Sequence, residues 1–185
     1  GGAGTLAMTG TIFYILHHIV VKANLFLVAG IIERRCGTGR LDRLGGLAET
    51  SPRLAVLFMV PALSLAGIPV LSGFWSKFIL VRAGLEAGAN PVVAVSLLVS
   101  VLTLFSMMKI WIGAFWTPAP EDAAGDAEEP ESPVTGDPRW MEAGSAFLAV
   151  ITLAIGLLAG PAVGLAERGA HQLIDGRDYR NAAMD

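Results

Sequence analysis

Four apolar stretches, each long enough to cross a bilayer as a helix, divide this chain and leave little of it for a soluble fold. They run roughly from Thr11 to Ile32, from Leu54 to Leu85, from Pro91 to Trp116 and from Ala143 to Leu165. A hydrocarbon core of ~30 Å takes about 20 helical residues, so each stretch suffices. Charged residues make up only 16% of the chain, against about 25% in a typical soluble domain, and mean hydropathy is +0.61. The expected fold is an all-α polytopic membrane protein with four transmembrane helices, the second discontinuous. Its expected segments are a first helix within 1–32, a basic loop over 33–53, a broken helix over 54–86, a third helix over 91–116, an acidic loop over 117–139, a fourth helix over 141–166 and a polar tail over 167–185.

Several function classes fall away at once. No basic stripe with interleaved aromatics points to nucleic acid. The lone Cys36 cannot form an internal disulfide, a single thiol is no metal site, and no cofactor motif is present. The opening GGAGTLAMTG has neither a charged n-region nor a cleavage site after a short core, which excludes a signal peptide; it reads as the start of a fragment. No internal repeat is visible within the chain.

The connections set an expected topology. The first loop carries Arg34, Arg35, Arg40, Arg43 and Arg53, whereas the third holds seven acids, five prolines and one Arg and reads as disordered. The positive-inside rule places the first loop in the cytoplasm and, with four spans, the acidic loop there too. The three Arg of the tail (Arg168, Arg177 and Arg180) pull mildly the other way.

The second stretch holds Gly67, Pro69 and Gly73 within seven residues. Proline lacks an amide donor and clashes with the preceding turn, so the helix is expected to break there. Irregular backbone at membrane depth survives only beside protein or a water-filled cavity, which makes such a break a pointer to an ion site. Lys77 follows the break by about one turn. A lysine desolvated there, at the positive end of a helix dipole, is suited to releasing and recapturing a proton. The alternative, a lysine snorkelling to the interface, fits less well so near the middle of the stretch.

The first stretch puts His17, His18 and Lys22 at the centre of a helix. His18 and Lys22, four apart, share a face about 6 Å from one another, and Tyr14 extends that stripe. Histidine titrates near neutrality and exchanges protons at either ring nitrogen. A charged lysine at mid-membrane costs about 3 kcal/mol on insertion scales and usually faces a polar interior. His17, on a different face, is either a packing histidine or part of the same path, and Asn24 fits a helix–helix hydrogen bond. In the third stretch Lys109 either snorkels or ends a proton path along Ser106 and Thr103, and Trp111 and Trp116 fit an interfacial aromatic belt. The fourth stretch has no charged residue and reads as packing; His171 reads as solvated.

HHIVVKANLFLVAG, then LGGLAE, then PALSLAGIPVLSGFWSKFIL together resemble the antiporter-like subunits shared by complex I and the multisubunit cation/proton (Mrp-type) antiporters. LFSMMKIWIGAFW resembles most the D-type branch of the latter. The resemblance covers all but the acidic loop and the tail. It implies a fourteen-helix protein with two inverted five-helix repeats, of which these would be the last four helices. Lys77 matches the family's broken-helix lysine, and His18 with Lys22 match its histidine–lysine pair. Tyr14 stands where some complex I members have a further histidine. The implied function is proton movement coupled to a monovalent cation, Na⁺ by resemblance alone, in a hetero-oligomeric complex of the bacterial cell membrane. The alternative is a proton-pumping subunit of an NADH–quinone oxidoreductase or membrane-bound hydrogenase. No acid lies within any stretch to balance the cations.

Overall fold

The computed structural model describes residues 2–118 and 138–175, and these residues form helices and short connections without a strand. The helices are α1 (Gly2–Cys36), α2 (Leu47–Thr50), α3 (Pro52–Ala66), α4 (Ser72–Glu86), α5 (Asn90–Trp111), α6 (Pro138–Leu157) and α7 (Ala159–Asp175). A π-helical turn over Ile112–Trp116 extends α5. The disorder expected of the acidic loop concerns residues that lie almost wholly outside those described, as do the last ten residues of the tail.

Helix α1 is the centre of the bundle and packs against α3, α4, α6 and α7. Its buried side chains, Phe13, His17, Val21, Asn24, Val28 and Ile31, recur every three or four residues, the spacing of one helix face. Ile15, Leu16, Ile19 and Phe26 on its other faces are apolar yet exposed. That pattern suits lipid rather than water as the surrounding medium. Helix α5 is apolar all round and of its 22 residues buries only Val93, resting on α3 and α4.

Among the described residues three helical segments are long and apolar enough to cross a membrane: Gly4–Cys36, Asn90–Trp116 and Arg139–Leu157. The broken second stretch is divided between α3 and α4, at 15 residues each, and neither alone reaches the ~20 needed. Pro52 opens α3, where its missing N–H has no intrahelical role. Gly67 closes α3 in the left-handed region at φ 91°, and the N–H groups of Gly67 and Ile68 both return to Leu63 O at 3.1 Å. Five residues then separate the half-helices.

Two segments differ from expectation. The fourth helix ends at Leu157 rather than near Leu165, and residues 159–175, partly assigned to the tail, form α7 against α1. Pro161, four residues after Leu157, has no N–H to give that carbonyl and its ring crowds it, so one straight helix cannot continue. The basic loop is also folded. Leu41, Leu44 and Leu47 recur every third residue through a 3-10 turn (Leu41–Arg43) into α2, and Leu44 and Leu47 are buried with Val28, Ile31, Phe58 and Phe115. Gly46 N–H donates to Thr117 O at 2.7 Å, tying this cap to the end of the π-helical turn.

Candidate functional site

The break brings together the polar groups of three helices. Leu65 O would accept from the residue four positions on, but that residue is Pro69, which has no N–H. Lys77 of α4 reaches back and fills the gap: Nζ donates to Leu65 O at 2.9 Å and to Ala66 O at 3.2 Å. The sequence placed Lys77 against the positive end of α4. The structure adds the opposite influence, because its amine also sits on the carbonyl, negative end of α3. Gly67 makes room for this reach, since a Cβ there would lie 3.0 Å from Lys77 Cδ.

A cleft of about 830 Å³ opens in front of Lys77. Tyr14, His18 and Lys22 of α1 line one side, and Ser96, Ser100, Thr103 and Ser106 of α5 line the other. The stripe expected on α1 is therefore real, and it faces Lys77. Tyr14 stacks on His18 with ring centroids 5.4 Å apart, and His18 Nδ1 is buried without a partner. The α5 hydroxyls donate to their own helix, Ser100 to Ser96 O and Thr103 to Val99 O among them, which leaves their lone pairs toward the cleft. Lys22 also lines a second cavity of about 490 Å³ that runs under the basic loop to Glu33. Among the described residues no carboxylate lines the cleft itself. Lys109 is exposed and lines neither cavity.

His17 points away from the cleft. It is 1% exposed, and its Nδ1 lies 2.8 Å from Ser72 Oγ. Ser72 Oγ lies 3.0 Å from Ser64 Oγ, which accepts from Gly73 N–H at 3.2 Å. The serines flank the break symmetrically in SLAGIPVLS, a signal that sequence reading passed over.

Behind this site, Asn24 of α1 accepts a hydrogen bond from Ser145 Oγ of α6 at 2.5 Å, the interhelical bond its polarity suggested. Trp75 Nε1 donates to Gly156 O at 3.0 Å, occupying a carbonyl at the end of α6. Among the described residues no group of three His, Cys, Asp or Glu could hold a metal ion.

Comparison with known proteins matches residues 2–103 to the family described as NADH:quinone oxidoreductase/Mrp antiporter, TM. The chain is 56% identical over 111 residues to the D-type subunit of a Na(+)/H(+) antiporter of Alkalihalophilus pseudofirmus, covering 60% of this chain and 22% of that protein. It is 31% identical over 178 residues to the corresponding D-type subunit of the Na(+)/H(+) antiporter of Bacillus subtilis, covering 96% of this chain and 34% of that one. A chain in the structure of the Mrp complex from Dietzia sp. DQ12-45-1b superposes with a TM-score of 0.85 at 37% identity, over 98% of this chain and 40% of its own length. The chain thus spans well under half the length of each of these proteins. A family match over more than half of the residues, an identity sustained almost end to end and a shared helical architecture together place the chain in the NADH:quinone oxidoreductase/Mrp antiporter transmembrane family.

Proposed function

We propose that this chain forms part of a proton-translocating subunit of a multisubunit Na⁺/H⁺ antiporter in a bacterial cell membrane, with Lys77 as the switchable proton carrier. One observation carries the reading: the amine of Lys77 is held by two carbonyls that the helix break frees, and it faces the same cleft as His18 and Lys22. Either protonation state of the amine can keep both hydrogen bonds, so the proton can leave without the side chain losing its place. His18 and Lys22 relay protons along the cleft, with the α5 hydroxyls as a polar opposite wall and His17 beside them on α1, hydrogen-bonded at the break. Of the two readings of Lys109, its exposure favours snorkelling over a role as exit group. The half-helices α3 and α4 cross the membrane as one broken span, with the basic loop on the cytoplasmic side. The assignment of Na⁺ and of other antiporter subunits as partners rests on the names of the relatives.

The test is Na⁺-driven proton exchange in inverted vesicles bearing the full complex, wild type against Lys77→Ala, with assembly read on a native gel. Intact assembly with exchange abolished is expected. Exchange persisting at the wild-type rate would sink the role of Lys77, and loss of assembly would point to a scaffold role instead.

The family description also includes NADH:quinone oxidoreductases, which supports a second reading: the same path driven by redox chemistry in other chains. Flavin and iron–sulfur clusters in the purified native complex would favour that reading, and Na⁺-dependent exchange by a complex free of them would exclude it.

A further inference from the structure

Lys77 depends on carbonyls that it does not itself place. Its amine is held by Leu65 O and Ala66 O in the last turn of α3, while the side chain belongs to the second turn of α4. Residues 67–71 join the two half-helices, so the conformation of this connection sets where the carbonyls lie relative to the amine. The connection does not hold that conformation unaided. Val70 sits at φ 77°, which a β-branched residue avoids and which persists only where neighbouring structure imposes it.

The neighbour that touches the connection is α6. Gly156, buried in its last turn, packs on the backbone there: an added Cβ would run into Val70 O and lie 2.9 Å from both Cα and C of Leu71. Backbone cannot swing aside as the tip of a side chain can, so this approach requires glycine. Gly156 also holds α4, because Trp75 Nε1 donates to its carbonyl at 3.0 Å. Trp75 and Lys77 are two residues apart, about 200° round a helix, and reach to opposite sides. Trp75 ends on α6 and Lys77 on α3, so the start of α4 is fixed between two carbonyl-bearing helix ends. We infer that Gly156 and Trp75 are positioning residues for Lys77, clasping the connection from α6 and so holding Leu65 O and Ala66 O against the amine. Helix α6, which reads as packing in the sequence, thereby takes part in the site, although among the described residues none of its side chains lines the cleft. Of titratable groups, Tyr14, His18 and Lys22 of α1 line the cleft with Lys77, and His17 lies at the break beside Ser72. Among the described residues α3 presents backbone to the amine, and α5 lines the cleft with hydroxyls and apolar side chains. The clasp is a matter of geometry; its effect on transport rests on the proton-carrier reading of Lys77.

The experiment compares Trp75→Phe, which keeps an aromatic ring and loses the donor, and Gly156→Ala with wild type and with Gly164→Ala as control, all in the full antiporter complex. Deuterium uptake over residues 67–74, where the amides of Gly67, Ile68, Leu71 and Phe74 donate within the break, reads the clasp. Na⁺-driven proton exchange measured across pH reads its effect on Lys77. Both variants should take up deuterium faster over this segment, slow proton exchange several-fold in assembled complexes and displace its pH profile, whereas Gly164→Ala should do none of these. Adding Val70→Gly to Trp75→Phe should recover part of the lost exchange, because glycine holds φ 77° without being forced into it. The same substitution should not rescue Phe115→Ala. Unchanged deuterium uptake in both variants would overturn the inference, as would faster uptake with the rate and pH profile of transport unchanged. If Trp75→Phe alone fails to assemble, the double variant decides: recovered assembly supports the clasp, and continued failure overturns it. Faster uptake in Trp75→Phe together with exchange that survives Lys77→Ala would remove the proton-carrier reading and leave the clasp standing.

Discussion

Adjacent residues in a helix point about 100° apart, and His17 and His18 show what that separation does. His18 looks into the cleft beside Lys22, whereas His17 looks into the break beside Ser72. The i, i+4 spacing in the sequence was enough to pair His18 with Lys22 and Tyr14. It could not say what His17 faces, because that depends on where α4 starts relative to α1. The closest approach is at Gly73, where an added Cβ would lie 1.8 Å from Ser64 O and 3.0 Å from His17 Cε1. Backbone, not a flexible side chain, is what it would meet. Gly73→Ala should therefore cost at least the ~1–3 kcal/mol typical of overpacking and displace the serine pair. Gly164→Ala in α7, where nothing lies within 4 Å, is the matched control and should be neutral or stabilising. The apparent melting temperatures of the two complexes check the contrast; equal values would show that α4 does not approach α3 this closely.

At the scale of the helix, the break was legible because Gly67, Pro69 and Gly73 have local consequences. What was not legible is how the freed groups are satisfied, since Leu65 O and Lys77 Nζ are 12 residues apart in sequence. The connection also holds strain that no pattern announces. Val70 has φ 77°, a left-handed conformation that a β-branched side chain strongly resists. It is 59% exposed, so its side chain gives little packing in return. Such a conformation persists only where the surrounding structure imposes it, here in the connection between α3 and α4. Val70→Gly should relieve roughly 1–2 kcal/mol of that strain, less the added freedom of the unfolded glycine, and raise the melting temperature of the complex. A lower melting temperature would mean that Val70 contributes contacts outweighing its backbone cost. The end of α6 teaches the complementary lesson: hydropathy carried the expected span to Leu165, while Gly160 and Pro161 were in plain view. Apolar character says where a helix can lie, and a proline marks where it can bend or end; α3 continues through Pro61, whereas α6 ends before Pro161.

The whole bundle depends on α1 at its centre and on a cap at one end. Phe58 of α3 lies 5.1 Å from Phe115 and 6.2 Å from Trp111, and Trp111 stacks on Phe115 at 4.8 Å. Arg35 at the end of α1 pairs with Glu142 of α6 and donates to Ser51 before α3, so the same end is also tied by charge. The sequence grouped Trp111 and Trp116 as interfacial aromatics; in the structure they meet edge to face at 6.2 Å, but Trp111 joins the stack with Phe58 and Phe115 while Trp116 is 65% exposed. Nothing local distinguishes the two tryptophans, since the difference arises from the π-helical turn and from the loop folded beneath it. The cap matters to the cleft at a distance. Helix α5 supplies the hydroxyl wall but buries almost nothing along its own length, so the stack and the Gly46–Thr117 hydrogen bond do much to fix its position. Phe115, 1% exposed, should cost about 3–5 kcal/mol on truncation to alanine, whereas Trp116→Ala should change stability by less than about 0.5 kcal/mol. Because loosening the cap lets α5 move away from His18 and Lys22, Phe115→Ala should also slow Na⁺-driven exchange in complexes that still assemble, although the residue touches nothing in the cleft. Exchange at the wild-type rate in an assembled but less stable Phe115→Ala complex would show that α5 is held in place by neighbours outside this chain and that its hydroxyl wall is positioned from there.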